Sequence, residues 1–203
     1  MSGMNKIVLV YLFLSSISSL AQRSAFMQLG VAQKKWVLAH PFKAKIAYQV
    51  TQQALVKLDS LGATNYFEGN IKSGSKADAV RHAYWMVLLS KKIGKRRALK
   101  LGKAYERKNK RDFKKGSVVG TYLPDLVGMQ MDLKNNAVGV NIENRVSSNE
   151  LLAVVLSFLE QGKLVYIKQN EKGEFLDKNG QIILYEDWSG KWKNDRVVIP
   201  TSL

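Results

Sequence analysis

Two stretches of the chain place acidic, basic and amide side chains at helical spacing. The first is Ser75-Lys76-Ala77-Asp78-Ala79-Val80-Arg81-His82-Ala83-Tyr84-Trp85, and the second is Met131-Asp132-Leu133-Lys134-Asn135-Asn136-Ala137-Val138-Gly139. Asp78, His82, Trp85 and Leu89 recur at i, i+4, i+7 and i+11 and so share one helical face. Asp132, Asn135, Asn136 and Gly139 recur at i, i+3, i+4 and i+7 and share a face of another helix. Two helices presenting these faces to each other would enclose a compact polar site inside a helical domain.

Each of these side chains has a chemical reading and a plainer one. An Asp78–His82 pair one turn apart can hydrogen-bond directly, which fixes the imidazole tautomer and makes His82 a general base oriented by Asp78. A buried structural histidine uses the same pair. Ser75-x-x-Asp78 also has the form of a capping box, in which the Asp78 carboxylate serves the helix start. Arg81 points about 100° around the helix from His82 and can clamp Asp132 or a substrate anion. Trp85 is expected in the core.

Asparagine is a poor helix-interior residue because its amide competes for backbone hydrogen bonds. Asn135 and Asn136, one turn after Asp132, therefore signal a buried polar network. In the functional reading Asp132 is a metal ligand or the group that orients the base, and an Asn amide is an oxyanion donor. In the structural reading Arg81, Asp132 and the two Asn tie two helices together. Glu106 is either a further inward ligand or acid, or an ion-pair partner of Lys110. Asp78, His82, Glu106 and Asp132 together form a candidate set for a divalent metal. The set is too oxygen-rich for structural zinc and suits Mg²⁺, Mn²⁺ or a catalytic Zn²⁺. The sequence has no His-x-x-x-His or His-Glu-x-x-His motif, no Gly-rich phosphate loop and no Gly-x-Ser-x-Gly elbow.

The elements that would position these groups are mostly helical. Apolar periodicity predicts helices over 24–39, 42–61, 75–93, 95–113, 125–144 and 148–161. His40-Pro41 divides the first two, Gly62 and Gly94 stop the second and third, and Pro124 is expected in the first turn of the fifth. Ser147 or Ser148 offers a capping-box start to the sixth. Gly128 and Gly139 each cost the fifth helix about 1 kcal/mol of propensity, which points to close approach of a neighbour or ligand. Beyond residue 162 the pattern changes to short strands over 163–168, 174–176 and 181–185, with Lys172-Gly173 and Asn179-Gly180 as turns. Trp188 and Trp192 are expected to fix this tail to the helices. The fold class that follows is mainly α: one domain of six helices with a small C-terminal β-hairpin or meander. Its parts are 1–21 as a signal peptide, 22–162 as the helical domain with the polar site, and 163–203 as the β-rich extension.

The chain has 203 residues, enough for one domain with a real core. It carries 32 Lys and Arg against 16 Asp and Glu, a net charge of +16. Residues 91–115 hold much of this excess, with Glu106 and Asp112 as their only acids. Such a surface draws polyanions, and Lys95, Arg96 and Lys103 are candidate anion-binding residues. No cysteine is present, which excludes disulfides, thiol nucleophiles and Cys-ligated metals. At the N-terminus, Lys6, the apolar run 7–20 and small residues at Ser19 and Ala21 read as a signal peptide cut before Gln22. The apolar run is short for a span of roughly 20 residues. The protein is thus expected to be exported, periplasmic or secreted, with no transmembrane helix after cleavage. Its expected partner is an anionic envelope component or a small-molecule substrate. The basic segment with Tyr105 and Phe113 forms no recognisable nucleic-acid module, so no stable nucleic-acid partner is expected.

The motifs also resemble a known family, an uncharacterised bacterial domain often found in exported proteins. Its signature runs Asp-Ala-x-Arg-His-Ala-Tyr-Trp, then an Ala-His-Glu segment, then Met-Asp-x-x-Asn-Asn-x-x-Gly-Arg. The matching residues are 78–85 and 131–139, with His40-Pro41 where the family often has a His-Pro or Asn-Pro break. The likeness covers residues 30–168 and implies a mainly helical fold and a site, without an assigned activity. Two positions depart from it. Ala104-Tyr105-Glu106 stands where the family has Ala-His-Glu, and Val140 follows Gly139 where the family has Arg.

Three functions remain open from sequence. The leading one is an exported, enzyme-like hydrolase built on His82, Asp78, Arg81, Asp132, Asn135 and Asn136. The second is a non-catalytic binder of anionic envelope components, working through the basic helix. The third is a nuclease-like or toxin-like domain.

Overall fold

In the computed structural model of the chain, residues 20–64, 66–67, 70–118, 122–142, 147 and 150–202 are described. The apolar run of the expected signal peptide falls almost wholly on residues 1–19, outside these. The architecture is mainly α, with a small antiparallel sheet near the C-terminus. In chain order the helices are α1 (Leu20–Gln28), α2 (Val31–Ala39), α3 (Pro41–Ala63), α4 (Lys76–Ile93), α5 (Lys95–Lys114), α6 (Leu126–Asn141) and α7 (Leu151–Glu160). Strand β1 (Val165–Ile167), a one-turn helix α8 (Tyr185–Trp188) and strand β2 (Val198–Pro200) follow. No helix of the described residues is long and apolar enough to cross a membrane.

Helix α4 is the axis of the molecule. Ala79, Val80, Ala83, Met86, Val87 and Leu89 are fully buried along it, as expected for a helix covered on all sides. One side packs on Leu151, Leu152, Val155 and Leu159 of α7. Another packs on Trp36 of α2, Ala44, Ala47 and Val50 of α3, and Ala98 and Leu101 of α5. Ser75 caps its start, and Gly94, at φ 86°, turns the chain directly into α5 in a conformation that a Cβ would strain.

Helix α6 lies against α4 at a contact that requires glycine. A Cβ on Gly139 would sit 2.3 Å from the Ala83 carbonyl oxygen. The propensity cost of a mid-helix glycine is the cost of this approach. Gly128 has a different role, since its N–H is capped by Asp125 Oδ1 at 2.9 Å. Asp125 is thus the N-cap of α6, and Pro124 precedes the cap instead of occupying the first turn.

The remaining differences from the expected elements have local causes. The predicted 24–39 helix is two helices, broken at Gly30, where a Cβ would lie 2.8 Å from Lys108 Cβ. At the start of α7, Glu150 Oε2 accepts from Ser147 N–H (3.2 Å) and Ser147 Oγ–H (2.6 Å). Ser148 lies outside the described residues. In the tail, β1 pairs with β2, Val165 opposite Pro200 and Ile167 opposite Val198. The predicted 174–176 and 181–185 segments meet at a single bridge, Leu176 to Ile182, and residues 185–188 form α8. Trp188 is buried with Val127, Met131, Ile167 and Phe175, and Trp192 packs on Phe113 with ring centroids 5.1 Å apart.

Candidate functional site

The start of α4 builds the first wall of the site. Ser75 Oγ accepts the Asp78 N–H at 3.3 Å. Asp78 does not return this bond to the Ser75 amide. Its Oδ2 accepts the Gly74 N–H at 2.7 Å instead, and its Oδ1 accepts from Arg81. The carboxylate therefore anchors the loop before the helix while keeping Oδ1 turned toward His82, whose Nε2 is 3.5 Å away. Arg81 thus holds Asp78; no ion pair of Arg81 with Asp132 occurs among the described residues.

His82 joins α4 to α6. Its Nδ1 is 3.2 Å from Asn136 Oδ1, and its Nε2 is 3.2 Å from Asp132 Oδ1. With the amide oxygen facing it, Nδ1 carries the proton and Nε2 carries a lone pair. Burial lowers the His82 pKa, with Arg81 adding to the effect and Asp78 and the Asn136 bond opposing it. Burial thus favours the neutral imidazole. Its lone pair then faces two carboxylate oxygens, all three of them electron-rich acceptors. Such an arrangement requires a proton or a cation between them.

The acids around it carry the same signature. Burial, then the charges of Asp78 and Glu106, pushes the Asp132 pKa well above the usual carboxylate range, against the pull of Arg81. Asp132 Oδ1 is buried and receives no hydrogen bond from the described residues. Glu106, 2% exposed, is raised to about 7 by burial, with Asp78 adding and an Asn109 hydrogen bond of 3.1 Å opposing. Glu106 Oε1 and Asn109 Oδ1 are also buried without partners among the described residues. Glu106 makes no pair with Lys110 in the described structure.

The two asparagines have separate tasks. Asn136 orients His82 and lies in the site. Asn135 faces the tail: its Nδ2 donates to the Val165 carbonyl at 2.8 Å and its Oδ1 accepts the Val165 N–H at 2.9 Å. The side chain pairs with β1 as another strand would, and it does not reach His82. Trp85 is half-buried, with Nε1 donating to Thr51 Oγ1 at 2.9 Å. Lys95, Arg96 and Lys103 lie on the exposed face of α5 and do not line the cleft.

The cleft over His82 and Asp132 has a volume of about 80 Å³. Arg81, Tyr105, Asn109, Tyr122 and Arg196 contribute to its walls. Arg196 carries no periodic signal in the sequence. It is 5% exposed, pairs with the N-cap Asp125, and packs over Trp188 and Phe175 at 4.0 and 4.6 Å from the ring centroids. Burial lowers its pKa to about 10, which leaves it charged at pH 7. An arginine so far along the chain could be tied to the site only by knowing that the tail folds back over α6.

One ligand atom each from Asp78, His82 and Asp132 lies within 4.8 Å of the others. Ligands bound to a divalent ion at about 2.0–2.1 Å in tetrahedral or octahedral order stand about 3.0–3.4 Å apart. The His82–Asp132 separation of 3.2 Å falls within that spacing, and the His82–Asp78 separation of 3.5 Å lies just beyond it. Asn136 on Nδ1 is the outer partner that a metal-binding histidine uses to fix its tautomer. Glu106 stands outside the three-residue cluster.

A family model described as Domain of unknown function (DUF6973) matches residues 34–163. No curated protein and no solved structure matches the chain.

Proposed function

We propose, from the premise that the chain belongs to the DUF6973 family of unknown function, that Asp78, His82 and Asp132 form a divalent-cation site for hydrolysis of an anionic substrate. One observation carries this reading: a neutral histidine lone pair and two carboxylate oxygens converge at metal-ligand spacing, with Asp132 Oδ1 unsatisfied. The bound cation would supply a water acidified enough to attack at neutral pH. Asn136 holds the imidazole in the ligating tautomer. Arg81, whose side chain is 42% exposed at the cleft, stands ready to take the anionic group of the substrate. The signal-like sequence of residues 1–21 supports an exported protein acting on envelope material.

The test is calorimetric titration of Mg²⁺, Mn²⁺ and Zn²⁺ into purified protein, beside Asp132→Asn and His82→Ala, followed by assay of the loaded protein on ester and phosphoester substrates. The reading expects one ion per chain and loss of binding in both variants. Absence of binding by the wild type, or equal binding by folded variants, would sink it.

A second reading is favoured by the exposed face of α5, where Lys95, Arg96, Lys100, Lys103, Arg107 and Lys110 all meet solvent. This face suits an anionic envelope polymer or lipid surface. Charge reversal at Lys95, Arg96 and Lys103 should then abolish retention on anionic liposomes, whereas unaltered retention would count against it.

A further inference from the structure

A second cavity shares a wall with the polar cleft. It has a volume of about 310 Å³ and lies among α1, α2, α3, α4 and α5. Its surface is mostly apolar, with Phe26, Leu29, Trp36, Val37 and Leu101 among the lining residues. Tyr105 lines both this groove and the cleft that holds His82 and Asp132. Trp85, one turn beyond His82, stands at the same partition, with its ring centroid 6.2 Å from that of Tyr105.

The two cavities have complementary sizes. About 80 Å³ accommodates an ion, a water and a reacting group, and little else. About 310 Å³ falls at the lower end of small-molecule pockets, which are mostly apolar with a few polar groups. Among the described residues, the groove on the other side of Tyr105 is a neighbouring cavity large enough for the body of a substrate whose reacting group sits in the cleft. Trp36, 6% exposed, contributes its ring to the apolar wall.

We infer that the groove holds the acyl chain of the substrate, whose linkage to the headgroup passes Tyr105 into the cleft. The substrate class is then an acyl amphiphile with an anionic headgroup. This rests on the cation-site reading for its chemistry, whereas the groove itself can be tested without any cation.

The test titrates straight-chain carboxylates of increasing length into the full chain in chelator, read by tryptophan emission, since Trp36 and Trp85 line the groove. Affinity should rise about fourfold per added methylene until the groove is full. Ala25→Trp and Gln52→Trp, on half-buried and exposed lining positions, fill the groove from two helices; at least one that keeps the wild-type circular dichroism should weaken the longest chain tenfold or more. Both should bind Mn²⁺ as the wild type does. Affinity independent of chain length, or unaffected by folded groove-filling variants, overturns the inference. Chain binding that persists in a wild type taking up no cation overturns the cation reading and leaves the groove assigned to the acyl chain.

Discussion

His82 Nε2 stands 3.2 Å from Asp132 Oδ1 across the α4–α6 contact, yet that oxygen receives no hydrogen bond from the described residues. In the tautomer whose Nδ1–H donates to Asn136 Oδ1, the imidazole proton is on the other nitrogen. Replacing Asp132 by Asn would remove a carboxyl whose ionisation is opposed by burial and by the charges of Asp78 and Glu106. In chelator Asp132→Asn should be as stable as the wild type or more stable, by about 1 kcal/mol. Cation affinity should fall by at least about 100-fold, since losing even an outer partner typically costs about 10–100-fold. Thermal unfolding with and without Mn²⁺ checks both halves. A wild-type Mn²⁺ stabilisation that survives in Asp132→Asn would show that the carboxylate is not a ligand.

Asn136→Ala probes the outer partner alone. It leaves Asp78, His82 and Asp132 in place but frees the ring to change tautomer. Cation affinity should drop about 10–100-fold. The His82 ring nitrogen resonances should shift toward the other tautomer in nitrogen-15 NMR. Unchanged tautomer and affinity would argue that Asn136 does not orient the ring.

Asn135→Ala should separate its neighbour from the site. The substitution strands the Val165 N–H and C=O, the two groups that Asn135 satisfies. Stability should fall by about 2–4 kcal/mol, and amide exchange at Val165 should accelerate. Cation affinity should stay within about threefold of wild type, the spread expected for an indirect effect. A large loss of affinity with protected Val165 would restore Asn135 to the site.

The contrast between these two asparagines marks how far sequence reached. The two helical faces were readable because their periodicity is strict and because Asn in a helix interior demands an explanation. Placement within the faces was not readable. Asn135 and Asn136 differ by about 100° around α6, and only the position of β1 decides which one meets a strand. The same limit applies to Arg81, whose choice of Asp78 over Asp132 depends on the loop at Gly74. Arg196 joins the cleft through the β1–β2 pairing, and the residues of β2 carry no alternation strong enough to announce it. Caps and stops at Ser75 and Gly94 were legible because their chemistry is local.

Gly139→Ala tests whether the α4–α6 contact is as close as the site needs. The new Cβ would lie 2.3 Å from Ala83 O and 2.9 Å from Ala83 Cα, all backbone atoms that cannot turn aside. The helices must separate, at a cost near or above the upper end of the roughly 1–3 kcal/mol typical of overpacking. His82 and Asn136 would be drawn apart with them, so cation affinity should fall together with the urea midpoint. A variant with unchanged stability would mean that the helices are already further apart.

Glu106 makes stability depend on pH. Its folded pKa of about 7 exceeds the ordinary value of 4.5, so the folded state holds the proton more tightly than the unfolded chain does. The stabilisation from that proton is fully present below pH 4.5 and is lost as pH rises through 7. Its full extent is on the order of 3 kcal/mol, at about 1.4 kcal/mol per pKa unit. Asp132, raised in the same direction, contributes alongside it, and the nearby Asp78 charge sharpens both. In chelator the urea midpoint should therefore fall between pH 5 and pH 8, by an amount on the order of 1 M for a domain of this size. Glu106→Gln keeps an amide oxygen for Asn109 and has no proton to lose, so its profile should be distinctly flatter, with the Asp132 slope remaining. A variant profile parallel to the wild type would place the titrating group elsewhere.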